Sequence, residues 1–97
     1  MRMLLKVSIP VESGNAAVLK GTLGTTIQKI LADLKPEAAY FGPCDGKRSG
    51  MIFFDMAETS QIVEIAEPLF SSLHAEVELV PVMSGDDLKK GFAKVPK

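Results

Sequence analysis

In the first ten residues, Met3, Leu5, Val7 and Ile9 alternate with Arg2, Leu4, Lys6 and Ser8, the two-residue period of a β-strand with one fully apolar face. The period then lengthens. Ser13-Gly14-Asn15 supplies loop and N-cap chemistry, and Leu19, Leu23, Ile27, Ile30, Leu31 and Leu34 recur at helical spacing. That spacing predicts one long helix running to Lys35 and ended by Pro36. Two extended stretches, 37–42 and 49–56, flank Pro43-Cys44-Asp45-Gly46-Lys47, where Asp-Gly marks the tight turn of a hairpin. Ser60 is placed to cap a second helix with Ile62, Ile65, Ala66, Leu69, Phe70 and Leu73 on one stripe, and Pro68 is expected to kink or restart it. A fourth strand over 75–82 alternates Val77 and Leu79 with Glu76 and Glu78, and Pro81 assigns its end to a sheet edge. Ser84 with Asp87 opens a short helix at about 85–92, after which 93–97 reads as a frayed tail.

The order β-α-β-β-α-β with a tail helix is the split βαβ arrangement. It predicts an α+β, ferredoxin-like domain spanning residues 1–97, with a core at about 2–83. Right-handed crossovers give a four-stranded antiparallel sheet of order 4-1-3-2 with both helices on one face. The third strand is apolar on both faces, with Met51 and Phe53 opposed to Ile52, Phe54 and Met56. Leu4, Val80 and Val82 likewise stand opposite their strands' main stripes. One helical layer covers one face, and leaving the other in water forfeits roughly 25 cal/mol per Å² of apolar area. A symmetric copy packed sheet to sheet is the expected cover; a shallow exposed patch or the tail helix are the alternatives.

In element order the chain resembles the dimeric α+β barrel superfamily, in which two ferredoxin-like subunits pack their sheets face to face. Glu67-Pro68-Leu69-Phe70 and the stretch from Ala75 to Met83 are similar to the helix-to-last-strand segment of muconolactone isomerase-like members. With 36–41, Asp45-Gly46-Lys47-Arg48 and Asp86-Asp87-Leu88 added, the chain looks still more like a group of small uncharacterised bacterial proteins in that superfamily. The resemblance implies a fold, a homodimer, and a pocket either between sheet and helices or inside the barrel. Because the superfamily holds monooxygenases, haem-degrading enzymes, lactone isomerases and plain ligand-binding domains, it implies no reaction.

Composition narrows the classes. Eleven Lys and Arg against twelve Asp and Glu leave a net charge of −1, so no positive field draws in a nucleic acid. Single Cys44 and single His74 exclude an intrachain disulfide and a self-contained zinc site of the common kind, which predicts a cytoplasmic protein without metal or cofactor. Lys6 interrupts the first apolar stretch, which therefore reads as a strand and not a signal peptide, and no run approaches the roughly 18 apolar residues of a membrane span.

Candidate chemistry follows from the hairpin. A two-residue Asp45-Gly46 loop makes Tyr40 face Met51 and Ala38 face Phe53, so Tyr40, Met51, Phe53 and Asp55 share one sheet face. An apolar wall with a phenol and a carboxylate suits a small aromatic or carbonyl ligand, with Asp55 as base and Tyr40 as donor; the plainer reading has Tyr40 in the core and Asp55 starting a loop. Arg48, on the opposite parity, either clamps a carboxylate or makes a rim salt bridge. Glu67 is either a pocket carboxylate or a solvated residue, and His74 either a haem ligand or a group bonding a helix-end carbonyl. Cys44 beside Lys47 and Arg48 is a conceivable nucleophile with no general base near it in sequence. The run from Lys20 to Thr26 has glycines and hydroxyls like a phosphate loop, yet it lacks a Gly-Lys-Ser/Thr ending and lies within a helical pattern. Gly21 and Gly24 there either allow close packing or mark an irregular turn. The function expected is a homodimeric small-molecule-binding or interaction domain. The alternatives are a cofactor-independent isomerase or monooxygenase acting on a small cyclic substrate and, third, haem binding or degradation.

Overall fold

In the computed structural model, which describes residues 1–96, strand β1 (Arg2–Ile9) lies antiparallel between β3 (Lys47–Asp55) and β4 (Glu76–Pro81), and β2 (Ala38–Cys44) pairs with the far side of β3. The result is an α+β arrangement of one open four-stranded antiparallel sheet and four helices among the described residues, with strand order β2-β3-β1-β4. Read from the opposite edge, that order is 4-1-3-2. β4 is an edge strand, as Pro81 requires.

The alternation in β1 decides which face is covered. Met3, Leu5, Val7 and Ile9 are all buried, together with Ile52 and Phe54 of β3 and Met56 just after it. Helix α3 (Gln61–Leu73) lays Ile65, Ala66, Leu69 and Leu73 on that same core. The hairpin register is the one its turn demands. Asp45 (φ 52) and Gly46 (φ 75) form a two-residue loop with both φ values positive, so Cys44 pairs with Lys47, Tyr40 with Met51 and Ala38 with Phe53. Because only two residues turn the chain, β2 runs on to Cys44 and β3 starts at Lys47, beyond the expected 37–42 and 49–56.

Two expectations are corrected. The single long helix is two helices, α1 (Val11–Lys20) and α2 (Thr22–Leu34), separated by Gly21 at φ 72. A left-handed residue ends a helix while leaving its last carbonyls bonded, and the Gly21 amide donates to Val18 O at 3.1 Å. Nor do Ser13-Gly14-Asn15 form a loop before the helix. The helix starts directly after Pro10, whose fixed φ of −54 suits the entry, and Gly14 and Ala17 are its buried residues. Helix periodicity alone does not mark this start, because the helix touches the sheet through its smallest side chains.

Pro68 does not restart α3, which is continuous from Gln61 to Leu73 with the proline inside it. Pro68 is exposed on the outer side of the helix, while Ile65, Ala66 and Leu69 around it are buried in the core. The tail helix α4 (Gly85–Ala93) carries the expected capping box: Ser84 Oγ accepts from Asp87 N at 3.1 Å, and the Asp87 carboxylate accepts from Ser84 N at 3.2 Å. It buries none of its residues, leaving Leu88 and Phe92 exposed, and the molecule is drawn out to 56 × 27 × 18 Å. The expected frayed tail extends to Lys97, which lies outside the described residues. No helix of the described chain is long and apolar enough to cross a membrane.

Candidate functional site

On its helical side the sheet is covered unevenly. α3 lays four buried residues on the core, whereas α2 buries none fully: Leu23, Ile30, Leu31 and Leu34 pack half-buried against the core's margin, leaving a gap between α2 and the β2–β3 hairpin. The gap is a cleft of about 640 Å³, within the range of small-molecule sites. Its floor is built from successive rows of the sheet. Ile9 pairs with Arg48 and Val7 with Gly50, while Phe41 lies opposite Gly50 from the other side. A Cβ on Gly50 would sit 2.9 Å from two ring atoms of Phe41, so the missing side chain is what lets that ring pack against β3 at the floor. Leu23, Ile27 and Ile30, at helical spacing on α2, form the opposite wall.

Arg48 closes one end. Its guanidinium rests on α1, where a Cβ on Gly14 would meet Arg48 Nη1 at 2.7 Å, and Nη1 donates to Asn15 Oδ1 at 3.2 Å. The Gly14-Asn15 pair is therefore a seat for an arginine from another element. Among the described residues no carboxylate lies within salt-bridge distance of Arg48, and no acidic side chain lines the cleft. Lys47, next to it in sequence, has the opposite strand parity; its ammonium reaches across β1 to Glu76 Oε1 at 3.5 Å on the other face.

The remaining sequence candidates are distributed elsewhere. Tyr40, Met51, Phe53 and Asp55 share the face of the sheet turned away from the helices, as the register requires. On that face Tyr40 is 65% and Met51 37% exposed, and neither lines the cleft. Asp55 is four residues along β3 from the partner of Tyr40, about 13 Å at strand rise, and its carboxylate accepts from the Met1 ammonium at 2.8 Å. The four residues are thus coplanar without converging. Leu4, Val80 and Val82 extend the apolar part of this face.

His74 is the exposed C-cap of α3 at φ 52, with its backbone N–H donating to Phe70 O at 3.0 Å. Glu67 is exposed on α3; its carbonyl accepts from Ser71 Oγ at 3.0 Å. Cys44 is an exposed thiol at the hairpin end. Gly21 and Gly24 have open space where a Cβ would be, and the Lys20–Thr26 run straddles the α1–α2 break instead of forming a loop after a strand. Among the described residues no cluster of three or more His, Cys, Asp or Glu could hold a metal.

A second polar group sits at the far end of the molecule. Arg2 Nε donates to Glu37 Oε1 at 2.6 Å, and this ion pair raises the Arg2 pKa further; Lys35, Asp55 and Asp87 complete the cluster. Asp87, held by its bonds to the Ser84 backbone and side chain, titrates below the usual carboxylate range. Sequence reasoning singled out Arg48 but missed Gly14, Asn15, Phe41, Gly50 and the α2 wall, whose only signal was a glycine and an asparagine together inside what proved to be a helix. No protein-family model and no curated protein matches the chain.

Proposed function

We propose that this protein is a non-catalytic small-molecule-binding domain that works as a homodimer of ferredoxin-like subunits, a dimeric α+β barrel, with its ligand held in the cleft between α2 and the β2–β3 hairpin. The cleft carries the reading: an apolar gap of about 640 Å³ leaves apolar area open to a ligand, with Arg48, which has no carboxylate within salt-bridge distance among the described residues, at one end. Two further surfaces support pairing. The open sheet face presents exposed Tyr40, Met51 and Val80 with half-buried Leu4 and Phe53 between them, and α4 presents exposed Leu88 and Phe92. The exposed Cys44 thiol fits a cytoplasmic setting. An isomerase or monooxygenase would need Tyr40 and Asp55 on one substrate, and haem ligation would need His74 in a cavity; the spacing of the first pair and the exposure of His74 support neither.

The test separates the two faces of the sheet. Nile red, a neutral apolar dye, should brighten with the wild-type protein and with Met51→Lys, and lose its signal with Ile27→Lys, which charges the cleft wall. Retention of the signal in Ile27→Lys together with its loss in Met51→Lys would assign binding to the open face and overturn the cleft reading.

A further inference from the structure

We infer that the ligand of this cleft is an apolar monocarboxylic acid, its carboxylate clamped by Arg48 and its hydrocarbon body laid along the floor beneath α2; the inference rests on the small-molecule reading above. Charge decides the head group. Among the residues lining the cleft, Lys47 and Arg48 carry the only charges. The Lys47 ammonium lies 3.5 Å from Glu76 Oε1, which leaves Arg48 as the lining cation with no carboxylate partner, and no acidic side chain in the lining, among the described residues. A single guanidinium balances a monoanion; a polyphosphate would need several cations, and a cationic ligand would find no partner.

Geometry makes the head carboxylate-like. Asn15 takes one N–H of Nη1, and Gly14 supports that side of the group against α1. The rest of the guanidinium's donor fork is left for a planar, two-oxygen acceptor, the arrangement in which Arg is most selective. Because the bond to Asn15 already biases the arginine toward α1, part of the side-chain ordering that binding requires is present in the free protein.

The body is set by the floor. From Arg48 to Ile52 is four residues of β3, about 13 Å, bordered by Val7, Phe41 and Ile27. No polar side chain interrupts that length beyond the Arg48 end except Ser49, whose hydroxyl is turned back to donate to Lys47 O at 3.1 Å. A ligand with a second polar group along its chain would leave that group unbonded in the cleft.

Decanoate, whose extended chain has a comparable length, and decanol, the neutral alcohol of the same chain, are the probes, each titrated against bound Nile red. Decanoate should displace the dye at about ten- to hundredfold lower concentration than decanol, the range expected of a charge-assisted hydrogen bond. Arg48→Met should bring decanoate down to the level of decanol while leaving decanol unchanged, and Arg48→Lys should recover part of the difference. Equal displacement by acid and alcohol in the wild type would overturn the carboxylate inference and leave the cleft reading standing. Failure of both to displace the dye would overturn the cleft reading and the inference with it. The wild-type comparison of acid with alcohol needs no variant, so the outcome does not depend on how the substitutions fold.

Discussion

Two glycines that look equivalent in sequence do different work at the residue scale. At position 14 an added Cβ would press on Arg48 Nη1, the tip of a long side chain that can swing aside; at position 50 it would press on two atoms of the Phe41 ring, on the strand directly paired with it. Gly14→Ala should therefore gain about 0.5–1 kcal/mol from helix propensity while displacing Arg48 from Asn15. Gly50→Ala should lose about 1–2 kcal/mol to overpacking. Urea midpoints compare them directly, and a Gly50→Ala protein as stable as wild type would mean that the Phe41 ring is not held over the floor. Arg48 was legible as a candidate because strand parity sets it apart from Met51 and Phe53. Its seat was not, since Gly14 and Asn15 lie more than thirty residues away on another element and meet it only after folding.

At the scale of elements, local chemistry accounts for the boundaries that were readable. Asp45-Gly46 specified the hairpin register residue by residue, and Ser84 with Asp87 specified the start of α4. The cap also makes α4 pH-dependent. The Asp87 pKa is lowered in the folded state by the Ser84 backbone and side-chain hydrogen bonds, so its contribution is fully present above the unfolded carboxylate range and is lost as pH falls through the folded value. Chemical shifts of residues 85–90 should lose helical character as pH drops from neutral toward 2, and less so in Asp87→Ala, which lacks the cap at every pH. Shifts unchanged down to pH 2 would contradict this. The α1–α2 break was the element that periodicity missed. Apolar spacing continues across Gly21 as if the helix did, while the break depends on a positive φ that glycine permits but does not announce.

The whole molecule has more apolar surface than one layer of helices covers. Met51 and Phe53 lie near the centre of the open sheet face, with Leu4 and Tyr40 beside them, and α4 stands clear with Leu88 and Phe92 outward. If this face is the dimer interface, wild type should sediment as a dimer at micromolar concentration, and Met51→Lys with Phe53→Lys should shift it to monomer without lowering the helical circular dichroism. A wild-type monomer would remove the pairing from the proposal. Hydrophobic alternation in β1, the two-faced β3, the Asp-Gly turn and the α3 stripe were enough to determine an α+β chain with a four-stranded antiparallel sheet, because each is a local pattern whose period or turn chemistry permits one backbone conformation. Where helix α2 comes to rest was decided only in three dimensions. Its apolar stripe says that one face is turned to the core but not how closely, and in the fold Leu23, Ile30, Leu31 and Leu34 come to rest half-buried at the core's margin. The cleft, and the arginine seated at its end, exist because tertiary packing left that gap between elements whose sequences, taken singly, describe an ordinary core.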